Sequence, residues 1–117
     1  MLKKNGKTLH ILWTNDNLLT SQSMVFMYAT NSLLKGWWED VHLIVWGATA
    51  KLLAESEAVL QKLKAFQEAG GSVSACKRCA EELGVLDKLE ALDGIEILYI
   101  GSQFTEIINS DDPLITI

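Results

Sequence analysis

The chain has 117 residues, the size of a single domain, so we expect one globular domain over residues 1–117. Its 10 basic and 15 acidic side chains give a net charge of −5, which argues against nucleic acid or a membrane surface as a partner. A hydrophobic content of 49% with a single proline excludes the disordered and disulfide-scaffold classes.

The first half of the chain is predicted to form two buried strands with a helix between them. Thr8–Thr14 and Val41–Gly47 are short apolar runs rich in β-branched and aromatic residues, a pattern typical of strands. Ser21 is expected to cap a helix that ends near Gly36. Apolar residues nearly encircle this helix, so we expect it to be covered on more than one side.

The second half of the chain continues the alternation. Thr49 is expected to cap an amphipathic helix that ends before Gly70. The remaining predicted elements, in order, are a strand Ser72–Ala75, a helix Cys76–Leu83, a turn of helix over Leu86–Leu92, a strand Ile95–Ile100, a helix Thr105–Asn109 and a strand Leu114–Ile117. The alternation favours right-handed crossovers, so we predict a three-layer α/β/α sandwich with a mostly parallel five-stranded, Rossmann-like sheet.

Neither a targeting segment nor a membrane span is expected. Lys3, Lys4 and Lys7 precede the apolar run Leu9–Trp13, which is too short for the core of a signal peptide. The longest uncharged run, residues 17–34, contains too many polar side chains for a transmembrane helix. With two cysteines and no export signal, we expect a cytoplasmic protein with reduced thiols.

Ligands of open parallel sheets collect beyond the carboxyl ends of the strands, so we look for a site there. The candidate substrate-pocket residues at those ends are Asn15, Asp16, Trp46, Gly47, Thr49, Gly101 and Ser102. Two of them have a plainer alternative: Asp16 as part of an Asx-type turn, and Trp46 as a core residue. Phosphate-binding glycine motifs are absent from the sequence, so no nucleotide cofactor is expected.

The strongest nucleophile at this edge is Cys76. It follows the third strand and begins a helix, where unpaired backbone N–H groups favour a thiolate. The adjacent Lys77 and Arg78 add little, because acidic residues lie one helical turn after them. We expect Cys76 to be accessible and to alkylate faster than Cys79; the alternative is a small buried apolar cysteine.

Cys79 completes the sequence Cys-Lys-Arg-Cys. A spacing of three residues on a helix places both sulfurs on one face, within potential disulfide reach, so a dithiol function is a second possibility. A zinc site would need two further ligands. The only histidines, His10 and His42, are expected to be satisfied core or edge residues, so no metal is expected.

Three segments carry a family resemblance. WEDVHLIVWGATAKLL, AGGSVSACKRCAEELGV and IEILYIG, followed by a short closing strand, resemble the DsrE/DsrF-like family. This resemblance, which extends from about Thr8 to the end of the chain, implies a Rossmann-like sandwich and assembly into homotrimers or homohexamers. It also implies that sulfur-relay members carry a persulfide on the cysteine after the third strand, here Cys76, between donor and acceptor proteins.

Three functions therefore remain open, and the cysteines distinguish them. A persulfide carrier of the sulfurtransferase type requires only Cys76. A thiol–disulfide redox or sensing module requires both Cys76 and Cys79. A non-catalytic oligomeric binding protein requires neither, and the apolar first helix and four tryptophans favour self-association in every case.

Overall fold

The structure, a computed structural model, describes residues 7–117. Lys3 and Lys4, on which part of the targeting argument rests, lie outside the described residues. Within residues 7–117, no helix combines the length and the apolar character that a membrane span requires.

Five parallel strands form one sheet, which confirms the predicted fold class. They are β1 (Thr8–Trp13), β2 (Asp40–Val45), β3 (Ser72–Cys76), β4 (Ile95–Leu98) and β5 (Leu114–Thr116). Their order across the sheet is β4-β3-β2-β1-β5, so β2 is central and β5 forms one edge beside β1. Each strand lies within one or two residues of its predicted position.

Helices connect consecutive strands, as the alternation predicts. They are α1 (Leu18–Thr20), a π-helix (Ser21–Phe26), α2 (Met27–Leu34), α3 (Ala48–Glu55), α4 (Glu57–Glu68), α5 (Lys77–Glu82), α6 (Leu86–Glu90) and α7 (Gly101–Ile108). The first three are continuous and form the helix predicted between the first two strands. We call this continuous segment, residues 18–34, the first helix.

The first helix begins earlier than predicted, and Ser21 does not cap it. Its cap is Asn17, whose side chain accepts the Thr20 N–H at 2.9 Å. The Ser21 hydroxyl is buried, where it accepts the Trp13 indole N–H at 3.0 Å and donates to the Asn15 carbonyl at 3.2 Å. The predicted cap residue therefore links the helix to the end of β1.

The second helix is likewise divided, and Thr49 is not its cap. Ser56 has extended backbone and its hydroxyl accepts the Val59 N–H at 3.2 Å, so α3 ends there and α4 begins. Thr49 lies inside α3, where its hydroxyl contacts the carbonyls of Trp13 at 2.7 Å and Trp46 at 3.1 Å. The Thr49 hydroxyl is therefore occupied by backbone carbonyls, and the N-cap position of α3 is Gly47.

The two faces of the sheet are covered unequally. The connections from β1 to β4 all progress in one direction, which places α1 to α6 on one face, whereas the return to β5 places α7 on the other. The larger core contains side chains of α2 to α6, such as Ala29, Leu53 and Phe66. On the opposite face, a smaller core joins Ile107 of α7 to strand residues that include Leu12.

Candidate functional site

Cys76 is the last residue of β3 and the N-cap of α5. Its Sγ accepts the backbone N–H of Cys79 at 3.4 Å. The side chain lies in the smaller core with Leu12, Ile44 and Ile100, and only 3% of the residue is exposed. The expectation that Cys76 is directly accessible is therefore wrong, because α7 and the strand ends cover it.

Cys79 lies one helical turn further and is partly exposed. Its Sγ accepts the backbone N–H of Gly47 at 3.4 Å. Burial raises the pKa of the Cys79 thiol, and a hydrogen bond to the Cys76 side chain raises it further, whereas the Gly47 N–H lowers it. The net result is a raised pKa of the Cys79 thiol. The hydrogen bond that reaches Cys76 Sγ comes from the Cys79 backbone N–H.

An open depression of about 250 Å³ gives solvent a route to Cys79. Its other lining residues are Gly47, Ala48, Glu82 and Leu83. A second depression of about 260 Å³ shares Ala48 and Leu83 with it and extends to Asp16 and Lys51. The surface that offers access to the thiols therefore lies between the carboxyl end of β2 and helix α5.

The charged side chains of α5 are engaged with one another or with Tyr99. Arg78 Nε contacts the Glu82 carboxylate at 2.8 Å, as the four-residue spacing predicts. The Lys77 ammonium lies 5.3 Å from the centre of the Tyr99 ring, and the Tyr99 hydroxyl donates to Glu81. The adjacent charged side chains are therefore engaged elsewhere, and Cys76 Sγ has its hydrogen bond from the Cys79 backbone N–H.

The remaining predicted site residues contribute in different ways. Trp46 packs edge-to-face on Phe104 of α7, with ring centres 5.1 Å apart, beside the smaller core that holds Cys76. Thr49 is buried and its hydroxyl is engaged by strand carbonyls, so it is not a pocket residue. Gly101 and Ser102 begin α7 as exposed residues.

The loop after β1 forms an Asx-type turn. The Asn15 side chain accepts the Asn17 N–H at 2.9 Å, and Asn17 in turn caps α1. This arrangement matches the plainer interpretation of the loop. Asp16 is brought to the second depression, near Leu83, rather than to Cys76 itself.

A hydrogen-bonded row of polar side chains crosses the sheet face that carries α7, and sequence reasoning missed it. It links Asp112, His10, His42, Ser74 and Glu96 over 3.0, 2.8, 2.8 and 3.4 Å in that order. Both histidines are satisfied core residues, as expected. The sequence contained one indication of this row: each histidine is the third residue of its strand, and in the sheet the two are register partners.

With one hydrogen between the two rings, the row has a consistent hydrogen pattern from Asp112 to Ser74; the single Ser74 hydrogen then goes to His42, so the 3.4 Å contact to Glu96 has no hydrogen in this pattern. His10 Nε2 donates to Asp112, His42 Nδ1 donates to His10 Nδ1, and the Ser74 hydroxyl donates to His42 Nε2. Burial and the neighbouring His10 lower the pKa of His42 to about 4, which keeps this ring neutral at pH 7. No cluster of three or more His, Cys, Asp or Glu side chains within residues 7–117 is placed to hold a metal ion.

The solved structures that resemble the chain include those of BT1422 and YchN. BT1422 of Bacteroides thetaiotaomicron, a conserved protein of unknown function, is 34% identical over 100% of both chains, with a TM-score of 0.92. YchN of E. coli is 15% identical over 95% of this chain and 98% of its own, with a TM-score of 0.66, a likeness that shows the DsrE-like fold alone. No protein-family model and no curated protein matches the chain. At this identity and coverage, the chain belongs to the same family as BT1422.

Proposed function

We propose that the chain is a small oligomeric sulfur-relay protein that carries a persulfide on Cys76 and transfers it to a partner protein in the cytoplasm. The observation that carries the proposal is the hydrogen bonding of Cys76 Sγ, which accepts the Cys79 N–H at the carboxyl end of β3. Such a bond favours the charged thiolate, the form that attacks sulfur. The YchN-like fold supports the same assignment, because the sequence resemblance also indicates a sulfur-relay family.

The chemistry needs one nucleophile and no cofactor. The Cys76 thiolate attacks the outer sulfur of a donor persulfide, a new S–S bond forms, and the donor leaves as a thiolate. Leu12 and Ile44 pack around the sulfur and would shield the persulfide from water. Attack by an acceptor thiolate on the outer sulfur then restores Cys76.

The surface of the first helix supports self-association. Apolar residues that are more than a third exposed in the single chain are Leu18, Leu19, Met24, Met27, Tyr28 and Leu34. One surface helix with so many exposed apolar side chains is typical of a subunit contact. We infer a homotrimer or homohexamer, in keeping with the family resemblance.

A thiol–disulfide function is the second candidate. It is favoured by the position of Cys79 one helical turn after Cys76, where Cys79 packs against the same core and its backbone N–H donates to Cys76 Sγ. In that function Cys79 would form a disulfide with Cys76 and be required in every cycle. A non-catalytic binding function would require neither thiol.

Intact mass spectrometry after exposure to glutathione persulfide separates these functions. We expect wild type to gain about 32 Da, one sulfur atom, and the adduct to be found on the peptide that contains Cys76 after alkylation and trypsin digestion. Cys79→Ser should still load Cys76 and retain the adduct longer, because the neighbouring thiol can no longer expel hydrosulfide. If the reaction requires both thiols and yields a Cys76–Cys79 disulfide, the redox function would be established instead.

A further inference from the structure

The two thiols have opposite relations to solvent. Cys76 is 3% exposed and surrounded by apolar side chains, whereas Cys79 is partly exposed and lines the open depression beside Gly47. A donor that is larger than a sulfide ion therefore meets Cys79 before it meets Cys76. Cys79 packs against the smaller core that contains Cys76, and its backbone N–H donates to Cys76 Sγ at 3.4 Å, so a sulfur atom bound to Cys79 lies close to Cys76.

We propose that Cys79 is the receiving thiol of a two-step relay, in which it accepts sulfane sulfur from a donor persulfide and passes it inward to Cys76. This inference rests on the proposed function, since it assumes that Cys76 is the carrier. The substrate class is a terminal persulfide on a thiol too bulky to enter the smaller core. Cys79 thereby has a covalent role in loading, in addition to the backbone hydrogen bond that it donates to Cys76 Sγ.

Both steps balance without an oxidant or reductant. In the first, Cys79 sulfur attacks the outer sulfur of R–S–SH, a new S–S bond forms to Cys79 as the S–S bond of the donor breaks, and the Cys79 proton goes to the departing donor thiolate R–S⁻. In the second, the Cys76 thiolate attacks the same outer sulfur, which leaves Cys79 as a thiolate and Cys76 as the persulfide. One sulfur atom has moved twice, and its oxidation state is unchanged.

Gly47 has a defined part in the second step. Its backbone N–H already points at Cys79 Sγ over 3.4 Å and lowers the pKa of this thiol. It can therefore stabilise the Cys79 thiolate as this group departs, since hydrogen bonds to an anion are stronger than those to a neutral thiol. Glu82 lines the same depression and disfavours a lasting negative charge on Cys79, so the charge is better held after transfer to Cys76.

The test uses the full chain as wild type, Cys76→Ser, Cys79→Ser and Cys79→Ala, with two sulfur donors. Glutathione persulfide is the bulky donor, and inorganic polysulfide is the small one. Persulfides are trapped by alkylation and located after trypsin digestion, because cleavage at Lys77 and Arg78 places the two cysteines on separate peptides. Circular dichroism of each variant establishes that the fold is retained, and the alanine variant guards against a specific effect of serine.

We expect Cys76→Ser to hold the adduct on Cys79, and wild type to accumulate it on Cys76. Both Cys79 variants should load Cys76 about tenfold or more slowly with glutathione persulfide, because direct attack then requires the smaller core to open. The slowing should be smaller with polysulfide. This combination supports the relay.

Other outcomes would overturn the two-step relay, and they show whether the proposed carrier function fails with it. Loading of Cys76 at the wild-type rate in both Cys79 variants rejects the relay and leaves the carrier function standing. An adduct confined to Cys79 in wild type, or no adduct in any variant, rejects the relay together with the proposed function. Quantitative conversion of wild type to a Cys76–Cys79 disulfide with release of hydrosulfide rejects the relay in favour of the redox function.

Discussion

His10 Nδ1 and His42 Nδ1 lie 2.8 Å apart in the interior of the protein, so one nitrogen must carry a hydrogen and the other must not. The remaining nitrogens of the pair face Asp112 and Ser74. A second hydrogen between the rings would place two N–H donors against each other. This contact makes the folded protein sensitive to protonation of His42.

We expect the free energy of unfolding to fall as the pH falls from 6.5 toward 4. The pKa of His42 is about 4 in the folded protein against an ordinary value of 6.5, so the unfolded chain binds the proton more readily in this range. The stabilisation from the neutral ring is complete above pH 6.5 and is lost as the pH approaches 4. Asp112, whose pKa is lowered by its hydrogen bond to His10, loses its contribution only below its ordinary value of 3.8.

Urea denaturation at a series of pH values measures this effect. His42→Gln should be less stable than wild type at pH 7 and should show a flatter dependence between pH 6.5 and 4, because it removes the titrating ring. If the free energies of unfolding of His42→Gln and wild type changed in parallel with pH, the role assigned to His42 would be contradicted.

The second prediction concerns thiol labelling. A bulky maleimide should modify Cys79 at least about tenfold faster than Cys76, because Cys79 is partly exposed whereas Cys76 becomes reachable only through local opening. This order is the reverse of the one expected from the sequence. Tryptic mapping over a time course measures both rates, and labelling in urea provides the control that both thiols are free. Faster labelling of Cys76 in the folded protein would show that the smaller core does not protect it.

The third prediction concerns two glycines. Gly71→Ala should lower the free energy of unfolding by about 1–3 kcal/mol, because a Cβ atom at this position would overlap the ring of buried Phe66. Gly101→Ala is the matched control. It lies in α7 with open space around the new Cβ, so alanine should stabilise by about 0.4–1 kcal/mol. Equal effects of the two substitutions would refute the close packing of Gly71 on Phe66.

The fourth prediction concerns assembly through the first helix. Light scattering at micromolar concentration should report a trimer or hexamer for wild type. Met27→Glu places a charge on a residue that is 55% exposed in the single chain, and it should shift the mass toward the monomer without a change in the circular dichroism spectrum. Lys88→Glu, a charge change on the exposed surface of α6 away from the first helix, serves as a control that retains the assembly. A monomeric wild type would exclude a closed oligomer.

The sequence was sufficient for the sheet, because runs such as Val41–Val45 are apolar enough to be strands only if both faces are covered. It was insufficient for the helix caps. Asn17, Ser21 and Thr49 are all suitable caps by type, and tertiary contacts to Trp13 decide which of them is one. A local pattern contains no information on which strand carbonyl lies nearby.

The site was predictable in position but not in exposure. Cys76 lies at the carboxyl end of β3, as the alternation of elements requires. Its burial depends on α7, which begins at Gly101 rather than near Thr105 and brings Phe104 and Ile107 over the strand ends. The polar row depends on register, which pairs His10 with His42 and is set by packing across the whole sheet.

The unequal covering of the sheet has a consequence for dynamics. Within residues 7–117, the helical residues that meet the smaller core are Phe104 and Ile107 of α7 and Cys79 of α5, and Ile107 is the buried residue of the eight in α7. A segment with so few buried contacts can detach as a cooperative unit at a lower free energy than global unfolding, while the larger core keeps the sheet intact. Amide hydrogens of α7 should therefore exchange before those of β1 to β3, and each such excursion would uncover Cys76 without unfolding the protein.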